Sequence, residues 1–167
     1  VNLVFFFGGE AAYPEWSLFE RIVVAVITSL LFFTSVLVHE LAHSVVAMRK
    51  GIPVKSITLF IFGGVAQITR EASRPGVEAS IAIVGPLMSL ALSAAFYAIY
   101  FIVGPTFEHV AAAAWWLGLI NLSLAIFNML LGFPMDGGRV FRALVWGLTN
   151  NYGTATKVAS TTGRLFG

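Results

Sequence analysis

The chain has 167 residues, which fits one domain, and 58% of them are hydrophobic while only 11% are charged. Because soluble domains carry about a quarter of charged residues, this composition excludes an ordinary soluble protein and indicates a membrane protein. The net charge of +2 would suit an anionic partner, but the positions of the positive residues, described below, indicate a membrane orientation and give no reason to expect nucleic-acid binding. The absence of cysteine excludes disulfides, thiolate zinc sites and a cysteine nucleophile.

Three stretches of the chain contain no charged residue, and each has about the 20 residues that a helix needs to cross a bilayer. They are Ile22–Val38, Ala79–Phe107 and Val110–Met135. They predict membrane helices at about residues 19–49, 79–103 and 111–134. The chain begins at Val1 and not at methionine, so it is expected to be a fragment of a larger chain. The apolar piece Val1–Phe7 is too short to span and is interpreted as the end of a helix or as a strand.

The ends of the first helix carry recognisable signals. Ser17 is followed three residues later by Glu20, which is the pattern of a capping box, so the helix is predicted to begin near Ser17. Two basic residues precede Gly51, and Pro53 follows, which is typical of a helix end. The first helix is therefore expected to end near Gly51.

The remaining elements are shorter. Residues 54–69 are rich in β-branched and aromatic types and are interrupted by Gly63-Gly64, which predicts a small β-hairpin or sheet. Residues 139–149 predict an interfacial helix. The predicted fold is an α-helical multi-pass membrane protein, with a three-helix transmembrane catalytic core and the β-element on the cytoplasmic side. Residues 1–167 are expected to form this single core domain.

Small residues recur every four positions near the start of the second helix. Gly85, Ser89 and Ser93 form this row, which is typical of close contacts between membrane helices. We interpret the row as a packing surface and not as part of a chemical site.

The positive charges lie almost entirely on one side of the predicted helices. Nine of the ten follow the first or the third helix, whereas only Arg21 precedes the first; the nine are Arg49, Lys50, Lys55, Arg70, Arg74, Arg139, Arg142, Lys157 and Arg164. By the positive-inside rule, that side is cytoplasmic. The protein is therefore expected to be a multi-pass protein of the cell membrane.

The first apolar helix ends in the pentapeptide His39-Glu40-Leu41-Ala42-His43, an HExxH sequence. On a helix, this spacing places both imidazoles on one face as zinc ligands, with the glutamate beside them as general base. The pattern also occurs by chance on the surface of soluble helices. In a membrane helix, however, no water solvates idle polar groups, which favours a metal site formed by His39 and His43. Its position predicts an active site in the cytoplasmic half of the bilayer.

A catalytic zinc usually takes a third protein ligand, which must be His, Asp or Glu in this chain. Glu10, Glu15, Glu20, Glu108 and His109 belong to the opposite side of the membrane, and Glu71 and Glu78 are interpreted as solvated residues that flank a basic loop. Asp136 follows a long uncharged run and a predicted helix break. It is therefore the expected third ligand.

These motifs resemble the site-2 protease family of intramembrane zinc metalloproteases. The resemblance rests on HELAH at 39–43, FGG at 62–64, GP at 85–86 and NMLLGFPMDGGR at 128–139. The sequence departs from the family pattern at Leu131, where many members carry proline. The resemblance implies one Zn²⁺ per chain on His39, His43 and Asp136, with Glu40 as general base.

The resemblance also implies that Asn128 holds the substrate or stabilises the developing oxyanion. Asn121 lies on the same helix face seven residues earlier. An interhelical hydrogen bond is the favoured interpretation of Asn121 and remains open for Asn128. The implied substrates are transmembrane segments of regulatory proteins, cleaved in regulated intramembrane proteolysis. The β-prone segment Ile57–Ile68 is expected to receive such a substrate by strand addition.

Other functions fit the sequence less well. An intramembrane aspartyl protease needs two aspartates, whereas Asp136 is the only one in the chain. A metal transporter would explain intramembrane His and Asp residues, but it needs no base beside the first histidine. A membrane scaffold with an inert site would not bind metal. The sequence does not indicate the oligomeric state.

Overall fold

The computed structural model describes residues 15–60, 63–68, 72–130 and 135–166. Its helices are α1 (Leu18–Arg49), α2 (Pro75–Val103), α3 (Glu108–Asn128), α4 (Asp136–Thr149) and α5 (Tyr152–Phe166), with a 3-10 turn at Gly104–Phe107. Its strands are β1 (Val54–Phe60) and β2 (Gly63–Ile68). The predictions for Val1–Phe7, for Phe62 and for residues 131–134 lie outside the described residues.

The helices α1, α2 and α3 are each long and apolar enough to cross a membrane, which confirms the predicted three-span helical architecture. Two bounds differ from the prediction. Helix α2 begins at Pro75 and not at 79, with Pro75 in the first turn, where its missing N–H has no partner to lose. Helix α3 ends at Asn128 and not at 134. Hydropathy could not mark that end, because the apolar run continues beyond it.

The predicted capping box at the start of α1 is present. The Ser17 backbone N–H donates to Glu20 Oε2 over 2.8 Å, and the Glu20 N–H donates to Ser17 Oγ over 3.3 Å. At the other end, Gly51 follows the helix with a φ of +76°, a conformation that glycine adopts without strain. Both predicted ends of α1 are confirmed to within two residues.

The three long helices carry large apolar residues outside and small or polar ones inside. Phe19 is 76% exposed and Ile102 is 83% exposed, whereas Ser89 and Asn121 are fully buried. Gly118 on α3 lies so close to the Tyr97 ring on α2 that a Cβ there would be 3.1 Å from the ring. Such close packing through small residues is expected for membrane helices, whose outer faces contact lipid.

The strands β1 and β2 pair antiparallel, with Thr58 opposite Val65 and Phe60 opposite Gly63. The register shifts between Val54 and Ser56. Both strands contact α1. The cytoplasmic location of this element stays a prediction.

Helix α4 runs antiparallel to the first half of α2. Its Gly147 lies beside Pro75 at the start of α2, and its Arg142 contacts Glu78. Its first residue, Asp136, contacts His43, which bonds to the Ile81 carbonyl of α2. The helix begins three residues before the predicted start of 139. It thereby places Asp136 in the interior, next to α1. Helix α5 packs on α4.

Candidate metal centre

The HExxH sequence of α1 and Gly85 of α2 lie at equal distances from the adjacent ends of these two antiparallel helices. His39 is ten residues before the end of α1 at Arg49, and Gly85 is ten residues after the start of α2 at Pro75. At 1.5 Å per residue, both lie about 15 Å from the ends that the β-element joins. This places the HExxH sequence inside the helix bundle.

Three side chains from distant parts of the chain converge there. The Nε2 atoms of His39 and His43 are 3.2 Å apart, and Asp136 Oδ2 lies 3.2 Å from the first and 3.1 Å from the second. All three residues are buried. Among the described residues, they form the group that could hold a metal ion, as the sequence predicted.

Each imidazole is oriented by a bond from its other nitrogen. His43 Nδ1 lies 2.6 Å from the carbonyl oxygen of Ile81 on α2, and His39 Nδ1 lies 2.8 Å from Ser89 Oγ on the same helix. A carbonyl can only accept, so Nδ1 of His43 carries a proton. In the neutral ring, Nε2 then presents its lone pair toward Asp136. Such a bond is the usual support of a metal-binding histidine.

The arrangement fits a zinc ion. Two imidazole Nε2 atoms and a carboxylate oxygen would direct lone pairs at one another, which is unfavourable unless a proton or a cation lies between them. Ligands at 2.0–2.1 Å from a tetrahedral zinc are about 3.3 Å apart, close to the distances found here. Gly85 leaves room, because a Cβ there would lie 2.6 Å from His39 Nε2 and closer still to His43 Nε2. His39, His43 and Asp136 would therefore hold the ion beside Gly85.

Asp136 occupies the first turn of α4, where the helix dipole favours a carboxylate. Burial raises the pKa of this carboxyl group, but hydrogen bonds donated by the two imidazoles outweigh burial and lower the pKa to about 2. Asp136 is consequently an anion at neutral pH, as a metal ligand must be.

The contacts of the two predicted catalytic residues, Glu40 and Asn128, do not establish their roles. Glu40 is buried beside His39, and its own backbone carbonyl accepts a bond from Ser44 Oγ. The Asn128 amide donates to the Leu124 carbonyl of its own helix over 2.9 Å, so its role in catalysis stays a prediction. Asn121 donates to Ser35 on α1 over 3.3 Å, which agrees with the favoured interpretation of an interhelical bond.

The interpretation of Glu78 as a solvated surface residue is wrong. Glu78 is 2% exposed and pairs with Arg142 of α4, because α4 folds back over the first turns of α2. It is nevertheless not part of the converging ligand group. His109 lies at the opposite end of the bundle, where its Nε2 is 3.6 Å from Glu20 Oε1.

The packing interpretation of the small-residue row is correct only for Ser93, whose hydroxyl donates to the Gly118 carbonyl of α3 over 2.8 Å. Gly85 and Ser89 instead lie at the site. Their spacing of four residues matches that of His39 and His43, which is the sequence signal that could have indicated the contact. The Ile81 carbonyl had no such signal, because a backbone atom leaves no trace in residue type.

Comparisons with known proteins agree with this geometry. A model of peptidase family M50 matches residues 27–114 and 104–166. A Synechocystis sp. relative, named as a zinc metalloprotease, is 42% identical over 160 residues, covering 94% of this chain and 41% of the relative. Rip3 of Mycobacterium tuberculosis, also named as a zinc metalloprotease, is 45% identical over 141 residues, covering 83% of this chain and 34% of the relative. The chain thus spans less than half the length of either relative.

A solved structure is also similar. The site-2 protease from Methanocaldococcus jannaschii superposes with a TM-score of 0.61 at 29% identity, covering 94% of this chain and 68% of that protein. The likeness therefore includes the membrane helices as well as the short motifs.

Proposed function

The chain belongs to peptidase family M50, the site-2 protease family of zinc metalloproteases, and we propose that it hydrolyses peptide bonds within or next to transmembrane segments of regulatory membrane proteins. The observation that carries this proposal is the convergence of His39 and His43, from a helix that can span a membrane, with Asp136 at the buried start of α4. A purely structural role would not explain three converging ionisable groups at such a depth.

Different residues of the chain transfer the proton and bind the substrate carbonyl. When bound, zinc supplies Lewis acidity that polarises the scissile carbonyl and brings the pKa of water toward about 7. The Glu40 carboxylate accepts a proton from the attacking water, whose oxygen bonds to the carbonyl carbon. Glu40 then delivers that proton to the amide nitrogen as the C–N bond breaks. Asn128 is proposed to donate a hydrogen bond to the substrate carbonyl.

We further propose that the substrate binds as an added strand on the hairpin over residues 57–68. A membrane helix hides its carbonyls in i to i+4 hydrogen bonds, so a hydrolase must first hold the substrate in an extended form. Strand pairing supplies main-chain hydrogen bonds that do so without requiring a particular sequence. The contact of both strands with α1, which carries the HExxH sequence, supports this location.

The active site is proposed to lie in the cytoplasmic half of the cell membrane. The support is the location of nine of ten positive charges on the side where α1 ends and α2 begins. Cleavage there would release the soluble part of a substrate toward the cytoplasm.

The test separates metal binding from hydrolysis in the purified chain, with a transmembrane segment as substrate. Glu40→Gln keeps the size of the side chain but removes the base, so cleavage should fall at least ~10²-fold while one zinc per chain remains. Asp136→Ala should weaken zinc binding strongly, to a level still measurable by competition, and should lose cleavage, whereas His109→Gln at the opposite end should change neither. Near wild-type cleavage by Glu40→Gln would contradict the assigned base, and unchanged zinc in Asp136→Ala would contradict the ligand set.

A further inference from the structure

A largely buried ion pair joins α2 and α4, two of the three helices that contribute to the metal centre. Glu78 on α2 is 2% exposed, and the Arg142 side chain on α4 is 17% exposed. Arg142 donates from Nε to Glu78 Oε1 over 2.8 Å and from Nη2 to the same oxygen. The guanidinium also lies over the Tyr152 ring, 5.1 Å from its centre. The carboxylate of the pair is therefore buried, while the guanidinium is partly buried and contacts both Glu78 and the Tyr152 ring.

The Glu78–Arg142 pair lies in the middle of the contact between α2 and α4, with Pro75 and Gly147 at one end and Ile81 and Asp136 near the other. On α2, Glu78 lies one turn before Ile81, whose carbonyl orients His43. On α4, Arg142 lies six residues after Asp136, or about 9 Å along the axis. The same stretch of α2 thus supports one ligand directly, through Ile81, and contacts the helix that presents another.

The start of α4 packs against the end of α3 but lacks a side-chain cap. Its N-cap, Met135, makes no side-chain capping bond. The next residues after Asp136 are Gly137 and Gly138, and glycine is a weak helix former. Gly137 is needed there, because a Cβ would overlap the carbonyl oxygens of Met129 and Leu130. The position of Asp136 therefore depends on contacts that hold the body of α4.

We infer that Glu78 and Arg142 are positioning residues, which fix α4 against α2 so that Asp136 meets His39 and His43. The inference rests on the proposed metal site. A buried ion pair adds little net stability compared with an apolar pair, but removing one partner leaves a buried charge without compensation. The two-donor geometry from arginine to one carboxylate fixes the relative position of the helices more closely than a point charge would.

The test measures zinc affinity of the full chain in detergent by competition with a chelating dye. Glu78→Gln and Arg142→Gln should each weaken zinc binding about 10- to 100-fold, the usual effect of losing a group that supports a ligand. The zinc affinity of Arg142→Lys should lie between those of these variants and that of the wild type. The charge-reversed double variant, Glu78→Arg with Arg142→Glu, should recover affinity if it folds. His109→Gln, which breaks the exposed contact with Glu20, is the matched control and should have no effect.

A double-mutant cycle with Asp136→Ala distinguishes positioning from general destabilisation. If the pair acts through Asp136, Glu78→Gln should weaken zinc binding little further once Asp136 is absent. An equal loss in both backgrounds would overturn the inference, as would wild-type affinity in Glu78→Gln. If Glu78→Gln does not fold, the same cycle is run with Arg142→Lys. Failure of the metal site itself would be distinct, because Asp136→Ala alone would then bind zinc normally.

Discussion

His39 and His43 can serve as ligands only because residues of α2 determine which ring nitrogen faces the site. The bonds from their Nδ1 atoms to Ser89 and to the Ile81 carbonyl direct both Nε2 atoms toward Asp136. The HExxH sequence supplies the imidazoles, but α2 supplies their orientation. Gly85 completes the site by leaving space where any side chain would intrude.

At this scale, Gly85→Ala should abolish zinc binding and cleavage, because the added Cβ would overlap the two ligand nitrogens. Overpacking of this kind costs roughly 1–3 kcal/mol of stability, so the chain should remain folded. Zinc content and circular dichroism of the purified variant measure both effects.

The matched control is Gly76→Ala in the first turn of α2, where an added Cβ meets nothing within 4 Å. It should bind zinc normally and be slightly more stable, since alanine favours helix over glycine. Equal zinc binding by the two variants would show that the space above Gly85 is not used by the metal.

At the scale of the elements, the end of α3 and the start of α4 determine where Asp136 lies. Had α3 continued to 134 as predicted, Asp136 would follow a helix that passes the site. Instead α3 ends at Asn128, and α4 begins with Asp136 and runs back along α2. The break between the two helices makes a residue far along the sequence a neighbour of α1.

The hairpin carries the prediction that belongs to this scale. A proline in β1, at a residue whose N–H points away from β2, should abolish cleavage, because proline cannot donate the hydrogen bond that an added strand needs. Zinc content and expression should stay normal. Helix-breaking residues in the substrate should speed cleavage by the unmodified chain.

No matched proline control exists within β1, because each of its N–H groups points either toward β2 or toward the proposed substrate. The control is therefore the same substrate with its segment already extended. Photo-cross-linking from the substrate provides the second measurement. Cross-links to α2 alone, with none to residues 57–68, would exclude strand addition.

The three long helices expose large apolar side chains, and nine of the ten positive charges of the chain follow the first or the third of them. This asymmetry predicts the orientation of the chain. The end with Arg49 and α5 should face the cytoplasm, and the turn at 104–107 should face the opposite side.

Because the chain has no cysteine, single cysteines can report this orientation. In intact cells, a membrane-impermeant maleimide should label Thr106→Cys, while Thr154→Cys should react only after permeabilisation. Both threonines are exposed, so the pair is matched in residue type and accessibility. The reverse labelling pattern would place the metal centre in the outer half of the bilayer.

The sequence by itself determined the membrane class and the three long helices and predicted the group His39, His43 and Asp136, because these depend on local composition, on spacing within one helix and on the position of Asp136 after a long uncharged run. Only the tertiary structure decided where α3 ends, that Glu78 is buried by Arg142, and that Gly85, Ser89 and the Ile81 carbonyl lie at the site. These features depend on contacts between residues as far apart as His39 and Asp136, which are separated by 97 positions. Side-chain type and hydropathy record what each helix buries, but not which neighbour covers it.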